Sequence, residues 1–222
     1  MRIREVAIST TDLDAAAQFY RNVLELPVAV GDDHVTVEIG LSTLILTRGE
    51  TFAGAHHLAF GISPDDFGLA WKWLGRRVEL ITSNGSEIIE GPPGWDSRSV
   101  YFRGPDGVVL ELIARAADAG VAAGTGEAPR LLSISEVGIG VPDVRQAVGE
   151  LTEAYGLAAF TPQLPVFTPV GDHDGLIILV DRERIWFPTE ADLPARAAVA
   201  VRIDAPKGGA TLTLGEVARI DG

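Results

Sequence analysis

Three side chains of this sequence have the types needed to hold a metal ion. Glu5 sits in a strand-like run near the start, His57 opens another, and Glu111 lies in a third. Two carboxylates and one imidazole form a mostly hard donor set. It suits Mn²⁺, Fe²⁺, Zn²⁺, Ni²⁺ or Mg²⁺ better than a soft ion. Three protein ligands also leave positions open for water or substrate, as catalysis requires. Glu111 interrupts the apolar run Val108-Val109-Leu110 and Leu112-Ile113, where an ionised carboxylate needs compensation. Blander roles exist for the other two. Glu5 can pair with Arg2 or Arg4 on a solvated strand, and His57, beside His56, can be an ordinary hydrogen-bonded sheet residue.

A second group lies just before or within a candidate hairpin: Trp95, Arg98, Tyr101 and Arg103. Arginine can grip a carboxylate or phosphate with two parallel hydrogen bonds, and Trp95 can stack on a ring. These four are the candidate substrate-binding residues. His34 and His173 sit beside Gly-Asp in similar turns and read as exposed turn residues, and Trp186-Phe187-Pro188 reads as core. There is no phosphate-binding glycine loop and no serine nucleophile elbow.

The elements that must position these residues repeat. Glu5 corresponds to Glu136, Val6 to Val137, Ile8 to Ile139 and Leu26 to Leu157, all at an offset of 131 residues. A constant offset over about twenty residues marks a duplicated supersecondary unit. Ile3 to Ser9 alternates as a half-buried strand does, Thr11 or Asp12 can cap a helix, and short strands follow to residue 48. The order recurs from His57, with Ser63-Pro64 as a helix start and the Gly104-Pro105-Asp106-Gly107 turn between two strands. A third unit runs from about Leu132 to Phe187, with strands expected over 134–141, 166–171, 175–180 and 184–187. The tail from Ala197 keeps strands but has no room for a helix. Residues 115–130 turn Ala- and Gly-rich. The expected division is therefore residues 1–116, a linker over 117–130, and a degenerate second domain over 131–222. If the opening strands of units one and two occupy equivalent places in one curved sheet and face inward, Glu5, His57 and Glu111 converge.

The net charge of −13 disfavours nucleic acid and anionic membrane as partners. No apolar run approaches the ~18–20 residues of a membrane helix. Cysteine is absent, which excludes disulfides and thiolate metal sites. With an opening that reads as strand rather than leader, a cytoplasmic location is expected.

The run Glu5-Val6-Ala7-Ile8, Asp12-Leu13 and Phe19-Tyr20-Arg21-Asn22-Val23-Leu24-Glu25-Leu26-Pro27 resembles the opening of vicinal oxygen chelate proteins. That superfamily holds glyoxalase I, bleomycin-resistance proteins, fosfomycin-resistance enzymes, methylmalonyl-CoA epimerases and extradiol dioxygenases. His57-Leu58-Ala59-Phe60 resembles its second-unit start. Ser99-Val100-Tyr101-Phe102, Pro105-Asp106-Gly107 and Leu110-Glu111-Leu112 resemble its closing hairpin. The resemblance implies an α+β fold of paired βαβββ modules forming cup-shaped mixed sheets, in two tandem domains of which the second is degenerate. It places Glu5, His57 and Glu111 at the positions of metal ligands, with Glu5 and Glu111 as catalytic carboxylates. The first position, commonly His in the family, is Glu here, which weighs against ring-cleaving dioxygenase chemistry. It implies a divalent-metal enzyme acting on a small oxygenated substrate, by lyase or isomerase chemistry ahead of dioxygenation. The alternative it implies is a metal-free protein sequestering a bleomycin-type antibiotic. A metal site in the second half is not expected, since Ala198 stands near the place of His57 and Glu216 is the nearest candidate for that of Glu111. The second half is read as a structural or dimerising partner, so a homodimer is an expected arrangement.

Overall fold

The computed structural model describes residues 1–222. Four related units follow one another along the chain. The first comprises β1 (Arg2–Thr10), α1 (Leu13–Gln18), β2 (Val28–Val30), β3 (His34–Ile39) and β4 (Ser42–Arg48). The second comprises β5 (His57–Ile62), α2 (Phe67–Gly75), β6 (Leu80–Ile81), β7 (Ile89–Glu90), β8 (Ser97–Arg103) and β9 (Val109–Arg115). The third has β10 (Leu131–Val141), α3 (Val144–Tyr155), β11 (Phe167–Asp172) and β12 (Gly175–Asp181). The fourth has β13 (Val199–Asp204), β14 (Thr211–Leu214) and β15 (Ala218–Asp221), and lacks a helix. The strand expected over 184–187 is instead irregular chain.

The repeat is built by local chemistry. Asp12 caps α1 by accepting from the Ala15 amide at 2.9 Å, and Asp143, 131 residues later, caps α3 by accepting from Gln146 at 3.0 Å. Both helical segments then reach a left-handed residue at matching positions, Glu25 at φ 54° and Gly156 at φ 70°. Within each unit the opening strand pairs in parallel with the last: β1 with β4, β5 with β9, β10 with β12, and β13 with β15.

The units do not pair in sequence order. One mixed sheet runs β14-β15-β13-β1-β4-β3-β2, and the other β11-β12-β10-β5-β9-β8-β6, with β7 on β8. Units one and four share the first sheet; units two and three share the second. The joints are antiparallel, β1 to β13 and β5 to β10. Each sheet thus takes strands from both sides of the 117–130 segment. That segment is pinned rather than free. The Ser63 hydroxyl donates to the Val121 carbonyl at 2.8 Å, and the Asp66 carboxylate accepts from the Gly124 amide at 2.8 Å.

One apolar cluster draws buried side chains from all four units, including Val6, Leu58, Leu110, Val137 and Val201. It lies on the helix-covered faces of the sheets. A separate cluster of Ala55, Trp95, Tyr101, Val109, Leu176, Ile178, Val180 and Trp186 covers the opposite face of the second sheet only. No helix is long and apolar enough to cross a membrane.

Candidate metal centre

Strand parity decides what faces the second cup. Alternate residues point to opposite sides of a sheet. On β5, Leu58, Phe60 and Ile62 enter the main core, which leaves His57 on the other face. On β9, Leu110 and Leu112 enter the core and Glu111 faces away. On β10, Val137 and Ile139 do the same and Glu136 faces away. Because β9, β5 and β10 are adjacent, His57, Glu111 and Glu136 meet. One donor atom from each lies within 4.8 Å of the others. The His57 Nε2 is 3.6 Å from Glu111 Oε2 and 4.0 Å from Glu136 Oε2.

Each group is oriented. His57 Nδ1 donates to the Val109 carbonyl at 3.1 Å, which leaves Nε2 with its lone pair toward the carboxylates. One oxygen of Glu136 is taken by the Arg115 guanidinium, and Arg115 also donates to Ser135 Oγ at 2.9 Å. The other Glu136 oxygen stays toward His57. The Ser99 and Tyr101 hydroxyls favour the ionised form of Glu111. All three groups are buried, with 6 % of His57, 2 % of Glu111 and 4 % of Glu136 exposed. Burial pushes the Glu136 carboxyl up to about 7 against the pull of Arg115, and raises that of Glu111. Burial also holds the His57 imidazole below its ordinary value. With both carboxyls ionised, as a bound cation would hold them, the one guanidinium of Arg115 balances only one of the two charges. A neutral imidazole with a free Nε2 and two carboxylate oxygens at this spacing fit a divalent cation.

Glu5 is not among them. It lies on β1 in the other sheet, partly exposed, and accepts from Arg202 at 3.1 Å. The expected meeting of Glu5 with His57 and Glu111 required β1 beside β5, whereas β5 is bordered by β9 and β10. Its repeat counterpart, Glu136, fills the third position.

The floor opens into a cavity of ≈ 700 Å³. Trp95 and Tyr101 line it. Arg98 and Arg103 do not. Arg98 has the opposite parity on β8 and sits over the Phe67 ring of α2 at 4.6 Å. Arg103 pairs with Asp192 and donates to the Gly107 carbonyl at 3.2 Å. Trp186, read from sequence as core, is buried in the second apolar cluster and also walls the cavity, whereas Phe187, read the same way, is half exposed at its edge. The Trp186 ring lies 5.2 Å from the His57 ring, and its Nε1 donates to the Ala55 carbonyl at 2.8 Å. Gly138 makes that possible, since a Cβ there would come within 2.5 Å of the Trp186 ring. Glu136, Arg115 and Arg184 were missed. The 131-residue offset from Glu5 was the available signal for Glu136; nothing local marked the arginines.

This arrangement defines a tandem βαβββ protein with a candidate metal centre in one of its two cups. The sequence model of the Glyoxalase/Bleomycin resistance protein/Dioxygenase superfamily matches residues 2–112, and the chain belongs to that superfamily. Among curated proteins, metallothiol transferase FosB of Staphylococcus epidermidis is 29 % identical over 119 residues, covering 50 % of this chain and 79 % of that protein. Among solved structures, a putative dioxygenase from Bacillus subtilis aligns with a TM-score of 0.64 at 15 % identity, over 92 % of this chain and 70 % of that one. Glyoxalase I from Zea mays aligns with a TM-score of 0.58 at 18 % identity, over 90 % and 74 %. At these identities the structural likeness speaks to fold alone.

Proposed function

We propose that the protein is an enzyme holding one divalent cation through His57 Nε2, Glu111 and Glu136, and acting on a small oxygen-bearing substrate. The observation that carries this reading is the set of three buried donors within 4.8 Å, at the floor of an aromatic-walled cavity. A bound cation would polarise a carbonyl or hydroxyl oxygen of the substrate. The protein groups do the rest. Val109 and Arg115 fix the ligand orientations. Trp95 and Trp186 shield the floor from water. A carboxylate of Glu111 or Glu136 that moves off the cation would take a proton from the substrate, as lyase or isomerase chemistry requires. The metal-dependent relative by name, metallothiol transferase FosB, supports a cation and a small-molecule reaction.

A metal-free binding module is the second reading. Two buried carboxylates facing aromatic rings, in a chain of net charge −13, are also suited to a cationic ligand. Elemental analysis separates the two, on protein purified without added metal and again after loading with Mn²⁺ or Zn²⁺. The enzyme reading expects about one ion per chain, lost in Glu136→Ala and kept in Glu5→Ala. No retained ion under any loading condition would leave the binding module.

A further inference from the structure

The cavity is larger and more apolar than a three- or four-atom substrate needs. Its volume of ≈ 700 Å³ falls inside the ~300–1,000 Å³ typical of drug-sized ligands. Trp95, Phe167, Ile178 and Trp186 form its walls. At the mouth, Leu164 and Phe187 are 53 % and 50 % exposed, an apolar rim with nothing to cover it.

One cation stands in this apolar setting. Arg184 lines the cavity, with its guanidinium carbon 5.0 Å from the centroid of the Phe167 ring. No Asp or Glu lies within ion-pair reach of it: Arg103 takes Asp192, and Arg196 takes Glu183 at 3.1 Å. The turn that carries Arg184 is held in place. The Arg184 amide donates to the Asp181 carbonyl at 2.9 Å, and Trp186, two residues on, is bonded to Ala55. Partial burial lowers the guanidinium pKa, as expected for a charge that has lost water and gained no counter-ion. The carboxylates at the floor repel an anion there, so an anionic group is drawn to the arginine end. The overall charge of −13 gives anions no general attraction to this protein.

We infer that the ligand of this cavity is a drug-sized, mainly aromatic or apolar molecule bearing one anionic group, and that Arg184 receives that group. The inference rests on the proposal that this cavity is the reaction site, and names the class of its substrate. Arg184 is then a specificity residue, acting on the charged end of the ligand away from the reacting atoms.

Two probes share one skeleton and differ in charge: 1-anilinonaphthalene-8-sulfonate and neutral N-phenyl-1-naphthylamine. Each is titrated by fluorescence into metal-free protein, wild type and Arg184→Gln. A charge-assisted contact predicts one sulfonate site per chain, bound about 10-fold tighter than the neutral probe. In Arg184→Gln the preference disappears while the neutral probe binds as before, and Arg184→Lys keeps part of it. Equal or tighter binding of the neutral probe to wild type overturns the inference. So does a preference that survives Arg184→Gln, or a variant that loses both probes alike, since that assigns Arg184 to packing. Metal uptake is measured on portions of the same preparations after loading with Mn²⁺ or Zn²⁺. A chain that takes up no ion yet keeps the charge preference defeats the enzyme reading alone.

Discussion

The two sheets of this molecule are the same construction with different fates. In the second, Val137 faces Leu58, which neighbours Leu110; in the first, the matching contacts are Val6 to Val201 to Ile220. Moving one residue along each strand pairs the positions. Glu136 corresponds to Glu5, His57 to Ala200, and Glu111 to Asp221 rather than to Glu216. The first cup therefore keeps both carboxylates and lacks the imidazole. Its Glu5 is taken by Arg202, which stands where the second cup has Ala59. Asp221 is held by Thr211 at 2.7 Å and by Arg219. The second cup is roofed by Trp95, Phe167 and Trp186, and its acids are almost fully buried. The same two acidic positions, left open and given arginine partners, become surface ion pairs. Burial and one imidazole separate a candidate catalytic centre from an ordinary sheet face.

That contrast can be broken most directly at the ligands. Alanine at His57, Glu111 or Glu136 should reduce bound metal from about one ion per chain to a trace, while Glu5→Ala and Asp221→Ala leave it unchanged, by elemental analysis. Equal losses from both cups would erase the distinction. The arginines come next. Arg115→Met strands the buried Glu136 and should cost about 3–5 kcal/mol in chemical denaturation. Arg202→Ala, which removes the exposed partner of Glu5, should cost only ~0–1 kcal/mol.

A third test uses pH. In metal-free protein the Glu136 carboxyl is raised to about 7, so the folded state binds more protons than the unfolded between about 4.5 and 7. Its contribution is present below pH 4.5 and lost as pH rises toward 7. His56, with its pKa pushed down to about 4 by burial, acts in the opposite sense, destabilising as pH falls from 6.5. Thermal melts of metal-free Glu136→Gln should therefore show a shallower decline toward neutral pH, with the remainder from the raised Glu111 carboxyl, and keep the acid limb to which His56 and His57 both contribute. The smallest effect is expected from building rather than breaking. Ala200→His combined with Arg202→Ala supplies the first cup with the missing ligand and frees Glu5. A second, weaker metal should then bind, ~10–100-fold below the native site for want of oriented neighbours. No second binding phase would mean that the roof matters more than the donor set.

Much of this was legible in the residues. The 131-residue offset, the cap at Asp12, the missing fourth helix and the inward carboxylate of Glu111 all follow from spacing and apolar pattern. The partner of the opening strands did not. β1 and β5 each need an antiparallel neighbour, and nothing in Glu5-Val6-Ala7-Ile8 or His57-Leu58-Ala59-Phe60 specifies which of the four units supplies it. The third acid beside His57 and Glu111 therefore comes from the other copy of a correctly recognised pair. Parity explains the other misreading. Trp95, Arg98, Tyr101 and Arg103 look like one cluster in sequence, but Arg98 has the opposite parity to Tyr101 on β8, and Arg103, which shares the parity of Tyr101, is drawn off to Asp192. Trp186 is core, as its size and apolar character suggest; only the space left by Gly138 reveals that it is also the wall over His57.

The inner units nest inside the outer ones, so the last strands of the chain are zipped to the first. Cutting within residues 117–130 would not release a self-sufficient half. It would strip β1 and β5 of their antiparallel neighbours at once and bare two edges on each fragment. Either piece would be sticky until it found the other, or a twin of itself. Reassembly from separately produced fragments, rather than independent survival, is the behaviour that such a clasp confers.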